Sequence, residues 1–293
     1  MSLDFLYQDY NRLHAEFVQL NHKLAHYTQF ENALKILQGQ SLWLKSADQM
    51  TDRYELHYGK TLIKNFADTR KEILKLISEQ TSLNLLNLLS FANEEYWKKI
   101  FFNTFLASFV EHSPDDDEVG RADMWERYAK PEGIAFVLRP NFLESDDNVP
   151  GLFPLPVRYF NQEKLNQFLD NIARELHSVS ASEIILREKS EIAFQLVCLI
   201  ASIKRPAFRA ETEWRLVANS LVEEFGNHIS QKNMPRRVEL DLSNRSASSY
   251  GIANSLERII VGPGQNQLTH VKAISMALDK LDLNSVPVVL SSI

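Results

Sequence analysis

Apolar residues at Phe5, Leu6, Leu13, Phe17 and Leu20 recur among polar ones as on one face of a helix, predicting a helical appendage over residues 1–22. A strand over 24–28 follows, then a helix over 30–37 that stops near Gly39, then a second strand over 41–44. Residues 49–90 read as mostly helical, with Ile73, Leu74, Leu76, Ile77, Leu85, Leu86 and Leu89 on the apolar side. The aromatic and β-favouring residues of 101–110 predict a strand. Beyond the acidic loop Asp115-Asp116-Asp117-Glu118, the pattern predicts a short helix over 123–128, a buried strand over 133–138 and another strand over 156–160. Two long helices come next. The first turns Leu165, Phe168, Leu169, Ile172 and Leu176 inward; the second, over 182–202, is apolar nearly all round in its latter half and is expected to be buried. Strands over 214–219, 238–242 and 258–261, a helix over 268–281 and a terminal strand over 286–290 complete the chain.

Strands of this kind, interrupted by helical insertions at 60–98 and 162–203, predict an α+β fold with a mixed or antiparallel β core. No repeat, linker or low-complexity tract divides the sequence, so 1–293 is read as a single domain. A hydrophobic fraction of 44% and a charged fraction of 24% are those of globular material, and disorder is not expected. The formal charge of −6 disfavours a broad grip on nucleic acid, which draws on many cations, although a local basic patch is compatible with it. The single cysteine, Cys198, sits in the apolar run Leu196-Val197-Cys198-Leu199-Ile200, reads as a small buried hydrophobe, and leaves no partner for an internal disulfide. The start lacks a secretory pattern, and the longest apolar run, 192–203, falls short of the ~20 residues that cross a bilayer. A cytoplasmic location without membrane contact is the expectation.

Candidate chemistry centres on Glu211-Thr212-Glu213-Trp214-Arg215. Read as the start of a strand, the segment puts Glu211, Glu213 and Arg215 on one face and Trp214, Leu216 and Ala218 on the other. An edge strand with a charged outer face produces the same pattern, but two carboxylates beside a guanidinium also make a polar site in which Arg215 keeps a glutamate ionised. His26 and Tyr27 lie on the first strand and are expected to point to opposite sides. His22 and His26, four apart on a strand-like segment, do not make a metal pair, and no metal site is expected. Asp52 serves as a helix cap ahead of Arg53, Tyr54 and Glu55, and Gly262-Pro263-Gly264 reads as a strand-to-helix turn.

Taken in order, His26-Tyr27-Thr28, Leu42-Trp43-Leu44, Met50-Thr51-Asp52-Arg53-Tyr54-Glu55, Met124-Trp125-Glu126-Arg127-Tyr128-Ala129, Gly133-Ile134-Ala135-Phe136, Lys204, Glu211-Thr212-Glu213-Trp214-Arg215-Leu216, Arg258-Ile259-Ile260-Val261-Gly262 and Val286-Pro287-Val288-Val289-Leu290-Ser291 resemble a bacterial family, domain of unknown function 2971. The resemblance covers nearly everything after residue 24. It departs at Thr51, where the family usually has Asn, at Ala107-Ser108-Phe109, where a Cys-Phe-Ser-like strand is usual, and at Phe208, where Trp is common.

That family's layout looks distantly like the ADP-ribosyltransferase superfamily, and this resemblance implies a split sheet and NAD as substrate. By it, His26 would hydrogen-bond the adenosine ribose and Thr28 would hold the same strand end. Glu213 would grip the nicotinamide ribose, and Glu211 would face an acceptor macromolecule. Tyr54 or Trp125 would sandwich nicotinamide and Arg53 or Arg215 would meet pyrophosphate, and Tyr27 would join His26 and Thr28 as a cofactor-binding residue of the first strand. A toxin or defence effector is the implied setting. Two other readings fit the same residues: a non-catalytic nucleotide- or protein-binding regulatory domain, and an NAD glycohydrolase using Glu211 and Glu213 as an acid and base pair.

Overall fold

In β1 (Lys23–Gln29), Leu24 and His26 alternate with Ala25 and Tyr27, so that the strand feeds two different cores. The computed structural model describes residues 5–47, 53–72, 74–75, 78, 89, 93–129, 132–144, 152–178, 189–219, 229–233, 236–243 and 250–292. Its main sheet joins β1 to β2 (Ser41–Ser46), β3 (Thr104–His112), β4 (Gly133–Leu138), β5 (Leu152–Pro156), β8 (Glu213–Asn219), β9 (Ile229–Asn233), β10 (Arg236–Asp241), β11 (Leu256–Val261) and β12 (Val288–Leu290). The order is β12-β11-β4-β1-β3-β2-β10-β9, with β8 on β3 and β5 on β8. Pairing is antiparallel except between β11 and β12, which makes the sheet mixed and the fold α+β. A small parallel pair, β6 (Arg158–Tyr159) with β7 (Ile203–Lys204), stands apart.

Strand β3 explains the shape. One of its edges is taken along Thr104 to Val110 by β8. Its other edge is shared: β1 holds Val110, Glu111 and His112, while β2 holds Phe105 and Leu106. Ala107, Ser108 and Phe109 fall between these pairings, and β1 and β2 part there. The sheet is forked.

On one face, Leu24, Leu42, Phe109, Phe136, Trp214 and Leu216 pack under three helices, α1 (Phe5–Gln19), α2 (Phe30–Gly39) and α8 (Gln267–Asp279). The leading helix is therefore not an appendage: its Tyr10 and Phe17 are buried, with ring centroids 6.2 and 5.6 Å from that of Trp214. The other face is covered in two blocks. Helices α3 (Arg53–Thr69), α6 (Gln162–Ser178) and α7 (Lys189–Ser202) bring Phe66, Leu165, Val197 and Ile200 onto Leu106 and Val217. Gly59 lets α3 and α7 approach, since a Cβ there would stand 2.8 Å from the Ile200 carbonyl oxygen. The second block is α5 (Ala122–Tyr128), whose Met124 and Trp125 cover Ala25, Tyr27, Val137 and Ile260.

Three expected elements differ. Residues 101 and 102 close a helix, α4 (Glu94–Phe102), because Trp97 and Ile100 are buried at helical spacing behind an Asn93 cap that accepts from Tyr96 N–H. The strand expected over 156–160 is two: β5 carries Pro154 and Pro156, which cannot donate to a ladder, and pairs only along β8, while Arg158 and Tyr159 turn to β7. Finally, β8 begins at Glu213, because Pro206–Glu211 is a 3-10 turn and Thr212 adopts the left-handed conformation at φ 45°. Asp52, the apolar positions 73, 76, 77, 85 and 86, and residues 182–188 lie outside the described residues. No helix among the described residues is long and apolar enough to cross a membrane.

Candidate functional site: a charged cleft at the fork

Between the two helical blocks, where β1 and β2 part, lies a cleft of about 470 Å³. Its lining includes His26, Tyr27 and Thr28 from β1, Trp43 and Lys45 from β2, Ser108 from β3, Tyr128 from α5, and the charged groups Lys204, Glu211, Glu213 and Arg215.

Glu213 opens β8 and is held at every polar point. Its N–H donates to the Tyr159 hydroxyl at 2.9 Å, and its carbonyl accepts from Val157 N–H at 2.9 Å. Its carboxylate accepts from Arg215 at 2.7 and 3.1 Å and from Lys204 Nζ at 2.9 Å. Burial alone would raise its pKa, but Arg215, Lys204 and a hydrogen bond from the Ser108 hydroxyl outweigh it and hold the carboxyl at about 2. Glu213 is thus an anion throughout the neutral range.

Glu211 reaches the same lysine by a route the strand pattern does not describe. The Thr212 twist ends the alternation, and the two carboxylates instead converge on Lys204, whose Nζ lies 2.6 Å from Glu211 Oε2. Arg127 binds the other Glu211 oxygen. Arg121 fixes the turn beneath, donating to the Ala210 and Glu211 carbonyls at 2.5 and 3.1 Å and to the Thr212 hydroxyl at 2.9 Å. Lys204 is itself set by β7, which pairs it with Tyr159, and by the buried end of α7 that precedes it. Its ammonium also lies 5.2 Å from the Phe208 ring centre. β8 is an interior strand between β3 and β5, which removes the charged-edge explanation for these residues.

His26 enters the cleft from the far side of the fork. Its Nδ1 lies 3.1 Å from the Ser108 carbonyl, which can only accept, so Nδ1 carries the proton and Nε2 keeps a lone pair. Burial lowers its pKa, opposed by the bond to Ser108 and aided by Lys45, leaving a neutral imidazole. Ser108 therefore touches both ends of the site: its carbonyl holds His26 and its hydroxyl holds Glu213. As strand alternation requires, Tyr27 turns the other way, with its ring centroid 4.7 Å from that of Trp125 and its hydroxyl accepting from Arg121 N–H at 2.8 Å. Both residues nevertheless line the cleft, because it opens through the fork.

The remaining sequence candidates divide. Thr28 lines the cleft, and Arg215 does so with its guanidinium engaged by Glu213 and the Ala201 carbonyl. Trp125 is not brought to it: the indole is buried, donates to the Val119 carbonyl and packs against Gly120 and Gly262. Arg53 and Tyr54 open α3, and their side chains lie outside the described ones. Among the described residues, no group of three His, Cys, Asp or Glu side chains is placed to hold a metal ion. Lys204, Ser108, Arg127 and Arg121 were not singled out as site residues by sequence. The Lys204 signal was faint, a lysine just ahead of Pro206 after a long apolar helix.

Residues 124–216 match the model of a family described as a protein of unknown function, DUF2971. The matched segment runs from α5 to β8 and so contains Arg127, Lys204, Glu211, Glu213 and Arg215, while His26 and Ser108 precede it. No curated protein and no solved structure matches the chain.

Proposed function

We propose that the cleft binds NAD and that the protein is an ADP-ribosyltransferase-like enzyme in which Glu213 stabilises the reacting ribose. The supporting observation is that neutral His26 and ionised Glu213, from opposite ends of the chain, line one cleft and meet at Ser108. Its volume, about 470 Å³, falls in the ordinary range for small-molecule sites. The forked sheet is compatible with the split sheet this reading calls for.

In the reaction the C–N bond to nicotinamide breaks, the leaving base keeps the bonding electrons, and the ribosyl carbon gains positive charge. A carboxylate already ionised and locked by Arg215 and Lys204 stabilises that charge without reorganising. The acceptor's nucleophilic atom then bonds the ribosyl carbon and gives up its proton, with Glu211, next in the charged row to the exposed Arg127, as the carboxylate that takes it. Neutral His26 offers the Nε2 lone pair to a ribose hydroxyl. With its carboxyl at about 2, Glu213 cannot serve as the proton donor of an acid and base pair, which weakens the glycohydrolase variant.

One observation favours a second reading. Lys204 bridges two carboxylates that each have a further cationic partner, an arrangement also suited to a domain that binds a nucleotide without cleaving it.

The test is nicotinamide release from labelled NAD, with and without cell extract. The enzyme reading expects release by the wild type and a loss of at least about a hundredfold in Glu213→Gln. NAD binding that is retained in Glu213→Gln without release by either protein selects the second reading. Neither binding nor release rejects both, and release that never labels a macromolecule selects glycohydrolase.

A further inference from the structure

Charges alternate in a row that starts beside the cleft at Arg127 and continues through four residues that line it, Glu211, Lys204, Glu213 and Arg215. The cations outnumber the anions by one. The two ends of this row differ sharply in what water can reach. The Arg127 side chain is 45% exposed, whereas those of Glu211, Lys204, Glu213 and Arg215 are 1–4% exposed. The inner pair, Glu213 with Arg215, is tied into the start of β8 and to the Ala201 carbonyl. Among the described residues, the outer carboxylate is held on its side chain by the two cations that it bridges, Lys204 and Arg127.

We infer that Arg127 and Lys204 form a subsite for a phosphate group of the ligand, and that Glu211 fills this subsite in the free protein. Removing the Glu211 carboxylate from between them leaves an ammonium and a guanidinium facing one position beside the cleft, the donor set that phosphate oxygens take. Lys204 keeps Glu213 as a partner throughout, so the exchange leaves no buried cation without an anion. The backbone need not move, because Arg121 pins the carbonyls of Ala210 and Glu211 and the hydroxyl of Thr212. Only the Glu211 side chain has to rotate toward the rim. A terminal phosphate carries more charge than the carboxylate it replaces and a bridging phosphate carries as much, so either suits a row with a surplus cation.

This rests on the reading above only in treating the cleft as the ligand site, and not on NAD as the ligand. It also reverses an expectation, since a carboxylate needed to hold ligand should weaken binding when neutralised, whereas a place-holder should strengthen it.

Calorimetric titration with inorganic pyrophosphate and ADP-ribose, and with nicotinamide riboside as the phosphate-free control, tests it on wild type, Glu211→Gln and Arg127→Gln. Glu211→Gln is expected to bind both phosphate ligands about tenfold more tightly and Arg127→Gln about tenfold more weakly, the effect of about one charge-assisted contact. Nicotinamide riboside should respond to neither. Equal or weaker phosphate binding by Glu211→Gln overturns the inference, as does an equal gain for nicotinamide riboside, or no binding of pyrophosphate by any of the three proteins. If Glu211→Gln does not fold, Arg127→Gln decides, and unchanged affinity in that rim variant overturns the subsite. Tighter pyrophosphate binding by Glu211→Gln alongside neither binding nor turnover of NAD would end the NAD reading and leave the subsite standing; the reverse pattern would do the opposite.

Discussion

Neutralising Glu213 should cost stability in a way that depends on pH, and the dependence can be worked out from its surroundings. Its carboxyl lies at about 2 in the folded protein against 4.5 for an ordinary glutamate. That difference corresponds to roughly 3 kcal/mol of preference for the ionised form in the fold. The sign follows from the depressed value. The stabilisation is complete above the unfolded pKa, declines as pH falls below it, and is gone once pH passes below the folded value. In Glu213→Gln the amide keeps the shape and one acceptor, but Arg215 and Lys204 lose their shared anion inside the protein. Near pH 7 the variant should therefore be less stable by about 3 kcal/mol, the lower end of the range for breaking a buried ion pair. Urea unfolding of both proteins from about pH 7 to about pH 3 measures the gap directly, and taking the difference cancels the other carboxylates. The gap should narrow steadily below about pH 4.5. A gap that stays constant over that range would refute the claim that Glu213 is held ionised by its neighbours, and with it the electrostatic role proposed at the ribose.

Three further expectations concern the frame around the site. Tyr159→Phe removes the hydroxyl that accepts from the Glu213 N–H. A buried donor left unpaired costs about 1–3 kcal/mol, and urea unfolding with no measurable loss would show that the β6–β7 pair does not position Glu213. Phe17→Ala empties a buried place against Trp214. The expected loss is about 3–5 kcal/mol; a change within about 0.5 kcal/mol, as for a surface residue, would return α1 to the status of an appendage. Burial raises the Cys198 thiol well above its ordinary range, with Arg158 opposing, so Ellman's reagent should label the protein only after denaturation. Rapid labelling of the native protein would contradict the packing of α7.

Much of the fold was legible because the relevant signals are local. The alternation in residues 24–28 and the apolar run of residues 133–138 lead directly to β1 and β4. Local signals also misled where tertiary context decided the outcome. Phe101 and Phe102 look like strand residues, yet the buried pair Trp97 and Ile100 extends a helix through them. Phe17 reads as one face of an isolated helix, because nothing nearby in sequence shows that Trp214 needs a cover.

The site itself carries the sharper lesson. Period-two alternation brought attention to Glu211 and Glu213 for a reason that does not hold, since Thr212 turns left-handed between them and β8 starts only at Glu213. They meet because Lys204 draws two carboxylates together from the end of a different element, and a one-dimensional pattern contains no term for that. The consequence is functional. Two carboxylates side by side on a strand face would repel, push one pKa up and suit acid and base chemistry. Two carboxylates separated by an ammonium leave Glu213 charged throughout the neutral range, with Glu211 held between Lys204 and the exposed Arg127. The arrangement speaks against the acid and base pairing that the glycohydrolase reading gave the two glutamates: on the reading proposed above, Glu213 supplies a fixed field at the fork, and Glu211 holds the position that a ligand phosphate takes.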